Sequence, residues 1–260
     1  MTPVFLSIAG SDSSAGAGLQ ADLKTGFALG CYPLTAATCV VSEVPGHVAD
    51  IAPLPPRVVA SQIRECLRTF PVAAIKTGML YSAEILRAAV DELPQNIPIV
   101  VDPVMIATAG DPLMLASTLQ AYESTLFPCA TLITPNLDEL AALCRRAEAP
   151  STVDELASAA AELSRTYGCA ILAKGGHLSG ITCTDLLVLP DGSVTPFSHA
   201  RTTGISTHGT GCTLSSAITA FLAKGAVLTE AVESALAYTS RAIAASHRWE
   251  HDLFALNHGV

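Results

Sequence analysis

Short apolar segments alternate with longer segments of helical spacing along most of the chain, and this alternation limits the fold more than any other feature. Six short segments are apolar enough to be strands buried on both faces; they are 4–9, 36–41, 73–76, 97–101, 132–134 and 170–173. The spacing predicts helices at 17–29, 56–69, 82–93, 113–126, 137–145 and 152–166, the last opened by a capping box of Thr152 and Glu155. Strands and helices in alternation predict an α/β fold with a mainly parallel sheet covered by helices on both faces.

The pattern changes after residue 183. Residues 184–189 and 194–198, joined by the turn 190–193, predict an antiparallel hairpin attached to the sheet, and helices are predicted at 211–223 and 228–247. The sequence contains no linker, repeat or low-complexity tract. We therefore expect a single domain over residues 1–260.

Composition excludes several classes of protein. The 260 residues carry 14 Lys and Arg against 23 Asp and Glu, a formal net charge of −9, which argues against nucleic acid as a partner. No apolar run approaches the roughly 18 residues of a membrane helix. Eight scattered cysteines and the absence of a cationic leader predict a reduced, cytoplasmic protein. Because half of the residues are apolar and 14% are charged, we also expect a homodimer.

The loops that follow the predicted strands carry most of the polar and glycine residues. In an open parallel sheet, ligands bind beyond the carboxyl ends of the strands. These loops contain residues 10–18, 43–46, 77–79, 102–103, 135–139 and 174–177. The sequence therefore predicts one cleft at that edge of the sheet.

The sequence lacks a P-loop, but it has two glycine clusters. The first, Gly16-x-Gly18-x-x-Ala21, matches a dinucleotide fingerprint, although residues 10–15 separate it from the strand that it should follow directly. An NAD-dependent oxidoreductase is therefore the alternative from a different class. The second cluster, 207–213, leads into a helix, where glycines and helix N–H groups favour an anion. The simpler reading is a tight loop with Cys212 as a small buried hydrophobe.

Other residues favour phosphoryl transfer, in which a protein mainly positions groups and neutralises charge. Lys174 follows a buried strand and precedes two glycines, while Asn136 and Glu139 share one face of a helix start, an arrangement that suits hydrated Mg²⁺. Asn136 is also a natural helix N-cap, Glu139 a partner for the helix dipole, and Asp102 a turn residue before Pro103.

The chain resembles the hydroxymethylpyrimidine/phosphomethylpyrimidine kinases of thiamine biosynthesis, members of the ribokinase superfamily with pyridoxal kinases. The resemblance rests on residues 8–24, 76–80, 101–105, 134–139, 174–177 and 207–216. It implies a three-layer ribokinase-like fold and Mg²⁺-dependent transfer from ATP to 4-amino-5-hydroxymethyl-2-methylpyrimidine or its monophosphate.

The same resemblance implies residue roles. The anion hole and catalytic group are Gly209, Thr210, Gly211 and Cys212, with Cys212 where sugar kinases carry a catalytic aspartate. Because a thiol at a helix N-terminus has a stabilised thiolate, Cys212 is expected to act as a base. The residues that match the family's pyrimidine pocket are Gly10, Asp22, Glu43 and Met79. Those that match its nucleotide site are Lys174, Asn136, Glu139 and Asp102, with Glu139 and Asp102 as the metal ligands.

Two positions depart from the family pattern. Glu43 replaces a glutamine, and a carboxylate only accepts hydrogen bonds where an amide also donates. Four outcomes are open: Glu43 is protonated and donates, it favours a protonated ring, its charge disfavours one substrate, or it points to solvent. We hypothesise that the enzyme prefers the monophosphate over the free alcohol. Leu236 replaces a lysine, for which Arg201 or Lys224 are candidate substitutes. Pyridoxal kinase and a silent ligand-binding relative are further alternatives.

The tail contains one candidate metal pair. His247 and His251 have the i, i+4 spacing of two ligands on one helix face, but a frayed C-terminus is the favoured interpretation.

Overall fold

The computed structural model describes residues 1–105, 116–176, 178, 180–201, 208–250 and 253–260. Its strands are β1 (Val4–Asp12), β2 (Tyr32–Val44), β3 (His47–Pro53), β4 (Val72–Thr77), β5 (Ile99–Val101), β6 (Leu132–Ile133), β7 (Ala170–Ala173), β8 (Thr182–Val188), β9 (Val194–Ala200), β10 (His247–Arg248) and β11 (Phe254–Ala255). The α-helices are α1 (Gly18–Ala28), α2 (Pro56–Thr69), α3 (Ala83–Val90), α4 (Ala116–Ala121), α5 (Leu137–Leu143), α6 (Val153–Tyr167), α7 (Thr210–Ala223) and α8 (Leu228–Ala244).

A nine-stranded sheet organises the described part of the chain, with the order β3-β2-β1-β4-β5-β6-β7-β8-β9. The six strands from β2 to β7 in this order pair with one another in parallel. Strand β3 pairs antiparallel with β2, β8 antiparallel with β7, and β9 antiparallel with β8. These six parallel strands correspond to the six apolar segments of the sequence. The predicted mainly parallel sheet and the hairpin, now β8 and β9, are confirmed.

Helices cover both faces of the sheet. The larger apolar core lies between the sheet and helices α2, α3, α5 and α6, and includes Ile63, Leu86, Leu140 and Leu156. A second core lies against α7 and α8 on the opposite face, around Ile218 and Val232. Phe5 of β1 packs in a third cluster with Ala220 of α7. This is the three-layer arrangement that the family resemblance implied.

The hairpin of β2 and β3 was not predicted. Strand β2 continues to Val44, and the chain reverses through Pro45 and Gly46, whose φ of +84° favours glycine. Strand β3 has no buried residue and pairs with β2 through its backbone. Without a buried face it has no apolar alternation for a sequence pattern to detect.

Helix ends differ from the predictions at several places. Residues 113–115 of the predicted helix 113–126 lie outside the described residues; the remainder is α4 followed by a π-helical turn at Tyr122–Leu126. Helix α8 ends at Ala244, so His247 lies on β10 and not on a helix; His251, its candidate partner, lies outside the described residues. Nor is the tail frayed, since Leu256 and His258 are buried. Within the described residues, no helix has the length and apolar character needed to cross a membrane.

One capping box is complete and the predicted one is half formed. The Thr152 hydroxyl accepts from the Glu155 N–H at 3.2 Å, but the Glu155 carboxylate accepts from Ser151 instead of Thr152. Asn136 and Glu139 form the full reciprocal box at the start of α5.

Candidate active site

A cleft of about 720 Å³ lies at the carboxyl ends of the parallel strands, where the sequence predicted it. Eleven of the twelve predicted site residues line it: Gly10, Glu43, Met79, Asp102, Asn136, Glu139, Lys174, Gly209, Thr210, Gly211 and Cys212. Asp22 is the exception. His177 and Thr207, which belong to the motifs that predicted the cleft, lie outside the described residues.

The anion loop, residues Gly209–Cys212, enters the first turn of α7. Gly209 has a φ of +81°, and a Cβ atom on it would lie 1.8 Å from the Gly16 carbonyl oxygen, so only glycine fits there. The loop is thereby pressed against the segment after β1. The positive end of the α7 dipole and the first-turn N–H groups then favour an anion in the cleft.

The thiol of Cys212 differs from the sequence-based expectation. Burial raises the pKa of Cys212 to about 12, with Asp102 and Asp22 acting in the same direction, and this outweighs the lowering by Lys76 and by the Gly18 N–H. The expected low pKa of the Cys212 thiol is therefore wrong. At neutral pH the Cys212 side chain is a thiol.

Lys174 and Asp102 flank the anion loop. The Lys174 Nζ lies 3.6 Å from the Asp102 Oδ1, and a Cβ on Gly211 would lie 3.4 Å from that Nζ and 3.6 Å from the Asp102 Oδ2. Burial opposes the charge on Lys174, but Asp102 and Glu139 raise its pKa above the ordinary value. Lys174 is therefore a cation directly beside the loop.

Glu139 and Asn136 form the helix cap that the sequence suggested. Asn136 Oδ1 accepts from the Glu139 N–H at 2.9 Å, and Glu139 Oε2 accepts from the Asn136 N–H at 2.8 Å. Both residues also line the cleft. Burial raises the pKa of Glu139 to about 7; Lys174 lowers it and Asp102 raises it.

The donor set of Asp102 and Glu139 fits a magnesium ion. Both carboxyl groups are almost fully buried, line the same cleft and interact electrostatically. Carboxylate oxygens are ligands that Mg²⁺ prefers, and a cation beside them would offset the burial that raises the Glu139 pKa and the repulsion from Asp102 that adds to it.

The opposite wall of the cleft contains Gly10, Met79 and Glu43. A Cβ on Gly10 would lie 2.9 Å from the Cys39 Sγ and 3.7 Å from the Met79 Sδ, so glycine is needed for this close packing. Glu43 is half-buried rather than directed to solvent. Burial raises its pKa, Asp12 adds to the rise and His208 opposes it.

Asp12 and His208 connect this wall to the anion loop, and the sequence analysis gave neither a role. Asp12 accepts from the N–H groups of Ser14, Gly16 and Ala17 at 2.7–3.0 Å, and its Oδ2 lies 3.2 Å from the His208 Nε2. The ligand atoms of Asp12, Glu43 and His208 lie within 4.8 Å of one another. Because the Asp12 oxygens already accept these bonds, the cluster orders the loop rather than offering a free metal site.

Asp22 lies beneath the cleft instead of on its wall, which does not support its predicted contact with a pyrimidine. Its carboxylate is fully buried and accepts from Lys76 Nζ at 2.6 Å, from the Ser216 hydroxyl at 2.5 Å and from the Ser7 hydroxyl. Asp22 therefore joins α1 to β4 and α7. The signal in the sequence was Lys76, a lysine within an otherwise apolar strand.

Leu236 lines the cleft at the position where the family pattern has a lysine. Arg201 also lines it, but its guanidinium donates to the carbonyls of Gly176, Leu178 and Gly180. Lys224 caps the far end of α7, a helix of 14 residues and so about 21 Å long, and cannot serve the cleft.

Asp185 is a further residue that the sequence analysis missed. It is 4% exposed, lines the cleft, and its Oδ1 accepts from the Gly175 N–H at 2.7 Å, which fixes the turn after Lys174. A charged residue inside the apolar strand β8 was the available signal.

A parallel sheet that brings an anion loop, a lysine and two carboxylates to one edge defines a phosphoryl-transfer enzyme. The profile of the family described as phosphomethylpyrimidine kinase matches residues 12–257. A hydroxymethylpyrimidine/phosphomethylpyrimidine kinase from Rhizobium meliloti is 42% identical over 251 residues, 96% of this chain and 94% of its own.

Solved structures agree with this comparison. The ADP complex of a pyridoxal kinase from Bacillus subtilis matches with a TM-score of 0.90 and 32% identity, over 99% of this chain and 98% of its own. A phosphomethylpyrimidine kinase from Clostridium difficile matches with a TM-score of 0.80 and 35% identity, over 94% of this chain and 100% of its own. The chain belongs to the phosphomethylpyrimidine kinase family and is a kinase.

The oxidoreductase alternative is not supported. Gly18 has a φ of +53°, and a Cβ on it would lie 2.4 Å from the Gly10 carbonyl oxygen; a Cβ on Gly16 would lie 2.8 Å from the His208 ring. Both glycines allow the segment after β1 to pack against its neighbours.

Proposed function

We propose that this kinase transfers the γ-phosphoryl group of ATP to 4-amino-5-hydroxymethyl-2-methylpyrimidine monophosphate, and less efficiently to the free alcohol. The observation that carries the proposal is a single cleft with the anion loop, Lys174 and two carboxylates on one side and the Gly10, Glu43 and Met79 wall on the other. The names of the sequence relatives support the pyrimidine substrate, and the ADP complex of a structural neighbour supports a nucleotide in this fold.

In the proposed reaction, an acceptor oxygen forms a bond to the γ-phosphorus while the bond to the β,γ-bridging oxygen breaks, and ADP leaves with that electron pair. The N–H groups of the anion loop stabilise the charge on the transferred phosphoryl oxygens. Lys174 neutralises further phosphate charge. Asp102 and Glu139 would hold Mg²⁺, which when bound supplies positive charge to the phosphate oxygens.

The proposed preference for the monophosphate has two reasons, the protonation state of Cys212 and the contact that the anion loop offers to a phosphate. A phosphate acceptor is already ionised, whereas a hydroxymethyl group must lose a proton during transfer. The Cys212 thiolate is the group that would accept that proton, but the pKa of about 12 leaves little thiolate at neutral pH, which slows transfer to the alcohol. The anion loop also offers the monophosphate a contact that compensates for weaker ring recognition by Glu43.

The direct test is ATP-dependent phosphorylation measured with the monophosphate, the free alcohol and pyridoxal as separate acceptors. We expect the highest kcat/KM for the monophosphate. Cys212→Ala should lower kcat by ~100-fold or more on the alcohol but by less than about tenfold on the monophosphate. Cys129→Ala is the matched control, because Cys129 is exposed and does not line the cleft. Equal efficiency on alcohol and monophosphate would contradict the preference.

Pyridoxal phosphorylation is the second candidate function. The structural match to the Bacillus subtilis pyridoxal kinase, with its TM-score of 0.90, favours it. The family profile and the identities of about 40% to pyrimidine kinases favour the first. A higher kcat/KM for pyridoxal than for both pyrimidines would reverse the order.

A further inference from the structure

The last residues of the chain return to the start of α7, next to the anion loop. Leu256 and His258 are 4% and 5% exposed. The Tyr238 hydroxyl donates to the His258 carbonyl at 2.8 Å, and the Asn257 N–H donates to the Ala242 carbonyl at 3.2 Å. Two residues of α8 therefore fix this segment in place.

The imidazole of His258 faces Thr213, the residue directly after Cys212. The His258 Nε2 lies 3.0 Å from the Thr213 Oγ1, and the Thr213 hydroxyl donates to the Gly209 carbonyl at 2.8 Å. The Thr213 hydroxyl therefore lies within hydrogen-bond distance of both the His258 Nε2 and the Gly209 carbonyl, and links the two. Burial lowers the pKa of His258 to about 4, with Lys24 and His247 adding to the effect, so the ring is neutral near pH 7.

This chain of bonds ends on the residue that sets the conformation of the anion loop. The Gly209 carbonyl accepts from both the hydroxyl and the N–H of Thr213, the latter at 2.9 Å. The orientation of the Gly209 peptide determines where the following N–H groups point. Fixed donors stabilise a transition state without reorganisation, and displacement by about 1 Å can cost ~100-fold in rate.

We propose that His258 is a positioning residue for phosphoryl transfer, acting through Thr213 on the Gly209 carbonyl to hold the anion loop. The proposal rests on the proposed function, because it takes the anion loop to be the site of transfer. His258 contacts the loop across 45 residues of sequence and does not line the cleft.

The test compares His258→Ala, His258→Gln, Thr213→Val and the double variant His258→Ala/Thr213→Val. We expect kcat to fall by about 10- to 100-fold in each of the alanine and valine variants, with KM values within about threefold. The glutamine variant, whose amide can donate to or accept from the Thr213 hydroxyl, should recover part of the loss. The double variant should be no slower than the slower single variant, because both break the same path.

Amide hydrogen exchange at residues 209–212 provides a readout that does not depend on activity. We expect faster exchange there in His258→Ala and Thr213→Val, and parent rates in His247→Ala, a control on the exposed strand β10 of the same tail. Additive losses of kcat, or parent kcat and parent exchange in folded variants, would overturn the proposal. If His258→Ala does not fold, His258→Gln and the near-isosteric Thr213→Val decide it together, and parent kcat with parent exchange in Thr213→Val would overturn the proposal. If the parent protein has no kinase activity but the variants show the expected faster exchange, the proposed function is contradicted, while the role of His258 in holding the anion loop is supported.

Discussion

At the scale of single residues, we propose that the protonation state of Glu43, which lines the cleft, controls recognition of the pyrimidine ring. A neutral carboxylic acid donates one hydrogen bond and accepts another, as the glutamine amide of the family pattern does, whereas a carboxylate only accepts. Burial and Asp12 raise the Glu43 pKa, while His208 lowers it. The raised pKa extends the neutral form toward higher pH than for a free glutamate.

We therefore predict that ring recognition weakens as pH rises. Above its raised pKa Glu43 loses the donor, so KM for the pyrimidine should increase with pH in the parent enzyme. In Glu43→Gln the dependence should flatten, and the ratio of kcat/KM for monophosphate over alcohol should fall. Steady-state kinetics from pH 5.5 to 8.5 measure both effects, with Glu233→Gln on the exposed face of α8 as control. An identical pH profile in parent and Glu43→Gln would show that Glu43 does not contact the ring.

At the scale of secondary-structure elements, the close approach of the anion loop to the segment after β1 creates the site. Gly209 and Gly192 have similar φ values of +81° and +87°, but a Cβ would contact Gly16 only at Gly209, and Gly192 has open space. A side chain at Gly192 therefore brings only the strain of a left-handed backbone, whereas a side chain at Gly209 also disrupts the contact between the anion loop and Gly16.

Substituting each glycine by alanine tests that distinction. In both variants the free energy of unfolding should fall by about 1–2 kcal/mol, because alanine is strained in the left-handed conformation. In Gly209→Ala the kcat for phosphoryl transfer should also fall by ~100-fold or more, because the anion loop must move away from Gly16. Gly192→Ala should retain the parent kcat. The measurements are urea unfolding and kcat on the pyrimidine monophosphate. Parent kcat in Gly209→Ala would contradict the role of this approach.

The ion pair between Asp22 on α1 and Lys76 on β4 is a second contact between elements. Both side chains are completely buried, so removal of either leaves an uncompensated charge. We predict that Lys76→Met lowers the free energy of unfolding by about 3–5 kcal/mol and that Asp22→Asn/Lys76→Met recovers part of this loss. Urea unfolding at pH 7 measures both. If the pair is structural, the double variant retains the parent KM for the pyrimidine; a large rise in KM would restore Asp22 as a substrate contact.

The elements that the sequence predicted are those with a buried face. Strands β1, β4 and β7 are mostly apolar and mostly buried, and their order along the chain was enough to predict the parallel sheet and its ligand edge. Strand β3 is stabilised by backbone bonds to β2 and leaves no pattern in its side chains. The contacts of Asp22 with Lys76 and of His258 with Thr213 span 54 and 45 residues, so they depend on packing that no local spacing encodes. The high pKa of Cys212 likewise results from burial by distant elements.

At the scale of the whole molecule, we propose that the kinase is a homodimer. Strand β2 near the sheet edge leaves Val40 and Val44 51% and 55% exposed, and such apolar surface is commonly covered by a second subunit. Sedimentation equilibrium at micromolar concentration should give twice the monomer mass. Val40→Glu/Val44→Glu should shift the distribution toward monomer if this face is the interface. A monomeric parent across the concentration range would contradict the prediction.

The cleft assembles groups from both edges and both faces of the sheet, and the reaction proposed for it is phosphoryl transfer from ATP to an aminopyrimidine. The most direct measurement follows the γ-phosphoryl group of labelled ATP into product with the pyrimidine monophosphate, the free alcohol and pyridoxal supplied separately. We expect label to appear in the pyrimidine diphosphate with the highest kcat/KM, and Cys129→Ala to have the parent rate. Absence of label from both pyrimidine products, with Mg²⁺ and saturating ATP present, would contradict it.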